Sequence, residues 1–183
     1  MATTTLEEAV RIGVKLYADD PSAVDPARFI PLFHSWIQQD AIDGLPIDVA
    51  DYAHVHQGPG VMLIGHEADH AIDLGEGRPG ILYQRKREPE GTLVERIEAA
   101  LAAADRAAEQ IEADPGAGGV EFGRDEILVR VLDRRAAPND QATADALRPA
   151  VEAAVAAARP GRSATIERVD DAAGPLALRI RLS

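Results

Sequence analysis

The chain has 183 residues, of which 46% are hydrophobic and only 4% aromatic, so aliphatic side chains and alanine must build most of its core. The formal net charge is −12 at pH 7, which argues against nucleic acid and against an anionic membrane surface as partners. There is no cysteine, which excludes disulfides, thiolate metal sites and thiol nucleophiles.

The sequence shows neither a secretory signal nor a membrane-spanning stretch. Its first ten residues, MATTTLEEAV, are not basic and do not lead into a long apolar segment. The longest strongly apolar run covers residues 61–64, far short of a membrane span. We therefore expect a soluble, cytoplasmic protein.

Two helices are predicted near the N-terminus. Thr5 and Glu8 fit a capping box at the start of the first, which should end near Pro21. Its apolar face comprises Leu6, Val10, Val14 and Tyr17. The second follows the sequence SAVDPAR, with Pro31 in its first turn, where the missing N–H costs nothing. Its apolar stripe comprises Phe29, Phe33, Trp36 and Ile37.

Between residues 44 and 87 the pattern changes from helix to strand. Seven glycines and three prolines punctuate this region, which favours strands joined by turns. Residues 71–87, AIDLGEGRPGILYQRKR, predict two strands around a glycine-rich turn, because apolar residues alternate with polar ones on both sides of it.

The C-terminal half predicts a long helix and then a β-α-β-β unit. Thr92 and Glu95 form a capping box that opens a helix over 92–113, and DPGAGG at 114–119 is the candidate linker. A strand at DEILVRVLDR precedes a helix over 139–159, which should break or kink at Pro149. SATIERVD and PLALRIRLS follow as strands.

These elements predict an α+β fold. Two N-terminal helices would pack on an antiparallel sheet, followed by the long amphipathic helix and the C-terminal β-α-β-β unit. We divide the chain into an N-terminal region, 1–115, and a C-terminal subdomain, 120–183. The two halves either join into one continuous domain or pack as separate layers.

Four of the five histidines lie within residues 54–70, at His54, His56, His66 and His70. The string His66-Glu67-Ala68-Asp69-His70 matches the H-E-x-x-H pattern of zinc peptidases. On a helix, His66 and His70 would stand one turn apart and bind zinc, and Glu67 would take a proton from metal-bound water as the catalytic base.

The local backbone favours strands over a helix here. Gly65 directly precedes His66, and an interior glycine costs a helix roughly 1 kcal/mol relative to alanine. On a strand, His54 and His56 would share one face, and His66 or His70 from a neighbouring strand would complete a set of three imidazoles. The candidate cofactor of such a set is a divalent transition metal such as zinc.

Three functional hypotheses stay open. The leading one is a non-hydrolytic module that binds a small molecule or a metal ion at the histidine-rich segment 54–70. The second is a zinc-dependent hydrolase that uses His66 and His70 as ligands and Glu67 as the base. The third is a structural or homo-oligomeric scaffold, in which the histidines are ordinary hydrogen-bonded residues of a core or interface.

The segments GPGVMLIGHEA, at 58–68, and GILYQRK, at 80–86, resemble an uncharacterised family of soluble bacterial proteins. The resemblance covers roughly residues 33–87. It implies a soluble bacterial protein and favours a hairpin at 66–70, and it implies no particular activity.

Overall fold

The computed structural model describes residues 6–87, 90–171 and 173–183. Within them, the chain forms one antiparallel sheet of eight strands and three α-helices, a mixed α+β architecture. The elements are β1 (Ile12–Ala18), α1 (Pro26–Gln39), β2 (Pro46–Tyr52), β3 (Gly60–Gly65), β4 (Ala68–Asp73), β5 (Gly80–Arg85), α2 (Leu93–Ala113), β6 (Phe122–Val131), α3 (Gln141–Ala158), β7 (Ala164–Arg168) and β8 (Leu176–Leu182).

The strands lie in the order β2-β3-β4-β5-β1-β6-β8-β7. Strand β1 pairs with β5 on one side and with β6 on the other. It therefore connects the strands of the N-terminal and C-terminal parts of the chain within a single sheet.

The segment predicted as the first helix contains β1 instead, so that prediction is wrong. All seven residues of β1 are buried, because a central strand can be covered on both faces and then loses the alternation that identifies a strand. Val14 belongs to the main core, whereas Tyr17 packs against Leu128 and Ala177 on the opposite face. Thr5, the expected cap, lies outside the described residues.

The first helix of the described chain is therefore α1, which follows β1. Asp25 caps it by accepting a hydrogen bond from the backbone N–H of Ala27, with Pro26 as the first helical residue. Pro31 lies inside the helix rather than in its first turn, where we predicted it. The helix ends at Asp40, whose φ of 51° is left-handed.

The other two helices and the C-terminal strands lie in the regions where the sequence predicted them. The capping box of Thr92 and Glu95 is formed, and α2 runs through a long series of buried alanines. Helix α3 continues through Pro149 as a single element, so the expected break does not occur. Strands β6, β7 and β8 with α3 form the predicted β-α-β-β unit.

The helices leave a gap above one strand. Helix α1 packs on β2 and β3, α2 packs on β5 and β1, and α3 packs on β7 and β8. In the sheet order, β4 lies between the strands that α1 covers and those that α2 covers. A side chain of β4 on this face therefore lies beneath the space between the two helices.

None of the helices in the described part of the chain has the combination of length and apolar character that crossing a bilayer requires.

Candidate functional site

The segment with the zinc-peptidase pattern folds as a β-hairpin. Strands β3 and β4 are antiparallel, with Ile64 opposite Asp69, and His66 and Glu67 form the turn between them. The turn is tight at Gly65, where an added Cβ would lie 2.3 Å from the carbonyl oxygen of Ala68. The helix on which the zinc-hydrolase hypothesis depends is thus replaced by a turn and a strand.

The structure separates the four histidines that we considered as metal ligands. His54 and His56 are exposed in the loop between β2 and β3, and His66 is exposed in the turn at the other end of β3. At about 3.3 Å per residue, the six residues of β3 hold the two loops roughly 17 Å apart. His70 is buried within β4, opposite Leu63.

The described residues contain no group of three or more histidine, aspartate or glutamate side chains placed to hold a metal ion. The proposed set of His54, His56, His66 and His70 therefore has no support from the geometry. The strand interpretation was nevertheless right for the segment around His70, which lies on β4.

His70 differs from the other three histidines because it is buried beneath the helical layer, with only 6% of its surface exposed. Its ring lies edge-on to Trp36 of α1, with centroids 6.3 Å apart, and to Tyr83 of β5, with centroids 5.3 Å apart. The Nδ1 atom of His70 is buried and has no hydrogen-bond partner among the described residues.

Burial also sets the charge of this imidazole. It lowers the pKa of His70 to about 4, and the nearby carboxylate of Asp69 offsets only part of that effect. Asp69 itself is held by Lys86, whose ammonium lies 2.7 Å from it. His70 is therefore neutral at pH 7, with one ring nitrogen that donates a hydrogen bond and one that accepts.

A cavity of about 300 Å³ lies beside His70, in the gap between the two helices. His70 and Tyr83 line it from the sheet, and Ala103 and Ala107 line it from α2. Residues 41–44, which connect α1 to β2, form the opposite side. We call this space the His70 cavity. The small alanine side chains of α2 leave the room that larger residues would fill.

Glu67, the predicted catalytic base, lies at the rim of the His70 cavity. Its carboxylate accepts a hydrogen bond from the backbone N–H of Leu45 at 3.0 Å, which lowers the pKa of Glu67. The backbone N–H of His66 donates to the carbonyl oxygen of the same Leu45 at 2.8 Å. In this structure Glu67 therefore positions the connection between α1 and β2 against the hairpin.

Charged groups of both signs surround the mouth of the cavity. Arg106 of α2 lies 3.2 Å from Asp43, and both side chains are exposed. Gln110, one helical turn further along α2, donates from Nε2 to the carbonyl oxygen of Ala41. These contacts connect α2 to the segment that follows α1 and hold the two sides of the cavity at a fixed separation.

The sequence did not indicate Arg106 or Gln110 as site residues. The only signal for the two α2 residues is their spacing, because Ala103, Arg106, Ala107 and Gln110 recur at three- and four-residue intervals on one helical face. Nothing in the sequence tells which strand such a face meets.

No protein-family model matches the chain, and no curated protein matches it significantly.

Proposed function

We propose that this protein binds a small organic molecule in the His70 cavity, with the imidazole of His70 as the group that recognises it. The observation that carries the proposal is the buried, unpartnered Nδ1 atom of a histidine that lines a cavity. This deepens the leading sequence hypothesis, a non-hydrolytic small-ligand module, and centres it on one histidine of the four.

The energetic argument is that an unpartnered buried polar atom is costly. Leaving such an atom without a hydrogen bond destabilises the folded state by about 1–3 kcal/mol. Native structures keep few of them, and each one requires an explanation, a functional role being one. The aromatic neighbours Trp36 and Tyr83 pack edge-on against the His70 ring and contribute to its burial.

The cavity has the composition of a small-molecule site. Its volume of about 300 Å³ is at the lower end of the range for ligand pockets, roughly 300–1,000 Å³. Its walls combine apolar residues, including Ala103, Ala107 and Tyr83, with the polar His70. Charged side chains also line it: Asp43, Glu67, Arg85 and Arg106. Sites of this kind use apolar walls for affinity and a few polar groups for orientation.

The test uses Trp36, the only tryptophan in the chain, as a reporter beside His70. Native mass spectrometry of protein purified without a histidine tag looks for a co-purified small molecule. A fragment library is then screened by Trp36 fluorescence and by thermal shift. We expect ligands that change Trp36 emission and raise the melting temperature of the wild type, and that bind at least tenfold more weakly to His70→Phe.

The matched control is His34→Gln, which alters an exposed histidine of α1 that does not line the cavity. Its affinities should equal those of the wild type. Ala103→Leu fills the cavity from the α2 side and should also abolish binding. Ligands that bind His70→Phe and Ala103→Leu as tightly as the wild type, or a library without any ligand, would contradict the proposal.

A further inference from the structure

A second cavity adjoins the first. It has a volume of about 460 Å³, and three residues line both cavities: Tyr83, Arg85 and Ala99. The second cavity extends from these residues toward β1 and the start of α2, where Val10 and Ile12 line it. We call it the Val10 cavity. The shared lining residues place the two spaces side by side.

One charged group of the Val10 cavity, Arg96, is engaged by the protein itself. Arg96 lines it, but its guanidinium donates to the backbone carbonyl oxygens of Glu7, Ala9 and Thr92, and the side chain is only 8% exposed. A guanidinium whose N–H groups are committed in this way offers little to a ligand.

One part of the wall of the Val10 cavity is aliphatic, and Arg85 and Glu90 add charged groups elsewhere in the lining. Val10, Ile12 and Ala100 line it, and Ile12 and Ala100 are almost completely buried by the surrounding core. The two cavities therefore differ in what they offer. The first cavity is lined by His70, whose Nδ1 atom has no hydrogen-bond partner among the described residues, and the Val10 cavity offers aliphatic surface beside Arg96 and the charged side chains of Arg85 and Glu90.

The distance from His70 to β1, across the two cavities, matches the length of an elongated molecule. His70 on β4 is opposite Tyr83 on β5, and Tyr83 is opposite Val14 on β1. At about 4.8 Å between neighbouring strands, a ligand that reaches from His70 to β1 must extend roughly 10 Å.

We infer that the ligand is an elongated, uncharged amphipathic molecule, with a hydroxyl or carbonyl group against His70 and an apolar end in the Val10 cavity. This inference rests on the proposed function. An uncharged group is favoured because the buried imidazole is itself neutral and provides no counter-charge. The nearby guanidinium of Arg106 is already paired with Asp43.

The experiment titrates the full chain with 4-methyl-, 4-ethyl-, 4-butyl- and 4-hexylphenol and follows Trp36 fluorescence. These probes keep one hydroxyl for His70 and lengthen only the apolar end. We expect the dissociation constant to fall about fourfold for each methylene group that enters the Val10 cavity, since a buried methylene contributes about 0.8 kcal/mol. Hexylbenzene and 4-hexylbenzoate should each bind at least tenfold more weakly than 4-hexylphenol.

Variants at the two cavities test which end of the ligand each cavity binds. Val10→Phe fills the Val10 cavity and should remove the gain with chain length while leaving 4-methylphenol binding unchanged. Ala99→Phe, at an exposed position that lines both cavities, adds bulk where they adjoin and serves the same purpose if Val10→Phe folds poorly. Val55→Phe is the matched control, because Val55 is exposed in the loop after β2. His70→Phe should abolish the preference for the phenol over hexylbenzene.

The outcomes separate this inference from the proposed function. If 4-methylphenol binds in a His70-dependent way but longer chains bring no gain, or if the gain persists in Val10→Phe and Ala99→Phe, the inference fails and the proposed function stands. If no phenol binds but the fragment screen gives His70-dependent ligands of another class, the inference also fails alone. If neither series binds, both fail.

Discussion

The ring of Trp36 in α1 lies edge-on to the ring of His70 in β4, with an interplanar angle of 88°. This contact joins the helix that covers β2 and β3 to the strand beneath the gap. The contact packs the imidazole against α1, and the burial of the ring keeps it neutral at pH 7.

The first prediction concerns the pH dependence of stability. Because the pKa of His70 falls from 6.5 in the unfolded chain to about 4 in the folded protein, the unfolded state binds the proton more tightly. The contribution of neutral His70 is complete above pH 6.5 and is lost as the pH falls from 6.5 toward 4. Between pH 7.5 and pH 5 we expect a loss of about 2 kcal/mol from this group. Urea unfolding at the two pH values measures it.

His70→Phe provides the comparison, since a residue that does not titrate cannot contribute this dependence. Its free energy of unfolding should fall by about 2 kcal/mol less than that of the wild type over the same interval. Asp69, Asp43 and Arg106 are the charged groups that act on His70, and all three are retained in the variant. Equal pH dependence in the two proteins would show that the imidazole is not buried as described.

The second prediction concerns Glu67. Its carboxylate accepts the backbone N–H of Leu45, so Glu67→Ala should release the connection between α1 and β2 from the hairpin. We expect the amide proton of Leu45 to exchange faster with solvent in the variant, as measured by hydrogen–deuterium exchange with NMR detection. Glu109→Ala, which removes a carboxylate from the exposed side of α2, is the control. Unchanged exchange at Leu45 in Glu67→Ala would contradict the assigned role.

Short sequence patterns, such as a capping box or an alternation of apolar and polar residues, predicted the elements that depend on interactions between residues close in sequence. The capping box of Thr92 and Glu95 marked the start of α2, and the alternation from Leu176 to Leu182 marked β8. By contrast, the periodicity of residues 6–17 predicts a helix, whereas the structure has β1 at Ile12–Ala18. Its residues are buried on both faces, and only the neighbouring strands and helices make that burial possible.

The candidate site was only partly predictable for the same reason. Histidines close together in sequence suggested one site, but β3 separates His54 and His56 from His66. What distinguishes His70 is the gap between α1 and α2, and that gap arises from how two helices distant in sequence pack on the sheet. No spacing rule within residues 54–70 contains this information.

The third prediction concerns the buried ion pair on the face of the sheet opposite the helices. Lys15 is 1% exposed, and its ammonium lies 2.6 Å from the carboxylate of Asp73 and 3.1 Å from the carbonyl oxygen of Gly75. Lys15→Met leaves the carboxylate of Asp73 buried without its partner and should cost about 3–5 kcal/mol of unfolding free energy. Chemical denaturation measures this cost.

The double variant Lys15→Met/Asp73→Leu removes both charges and should recover at least half of the loss, because no buried charge then lacks a partner. Arg181→Ala breaks the exposed pair with Glu167 and should change stability by less than about 1 kcal/mol. A double variant as unstable as Lys15→Met alone would show that the lost packing of Lys15, and not the uncompensated carboxylate, dominates the cost.

The last prediction compares two glycines with almost the same backbone conformation. Gly60 begins β3 with a φ of 65°, and Gly77 lies in the turn before β5 with a φ of 66°. A Cβ at Gly60 would lie 2.0 Å from the carbonyl oxygen of Ile72, whereas a Cβ at Gly77 would meet no atom within 4 Å. Both alanine variants incur the left-handed penalty of about 1 kcal/mol, but only Gly60→Ala must also push β3 away from β4.

We therefore expect Gly77→Ala to lose about 1 kcal/mol and Gly60→Ala to lose at least about 3 kcal/mol of unfolding free energy. Because β4 carries His70, the displacement at Gly60 should also change the fluorescence of Trp36, which packs against that ring. Gly77→Ala should leave the emission unaltered. Equal destabilisation of the two variants would mean that the pairing of β3 with β4 is looser than the structure shows, and that His70 is not held in the rigid floor that ligand recognition requires.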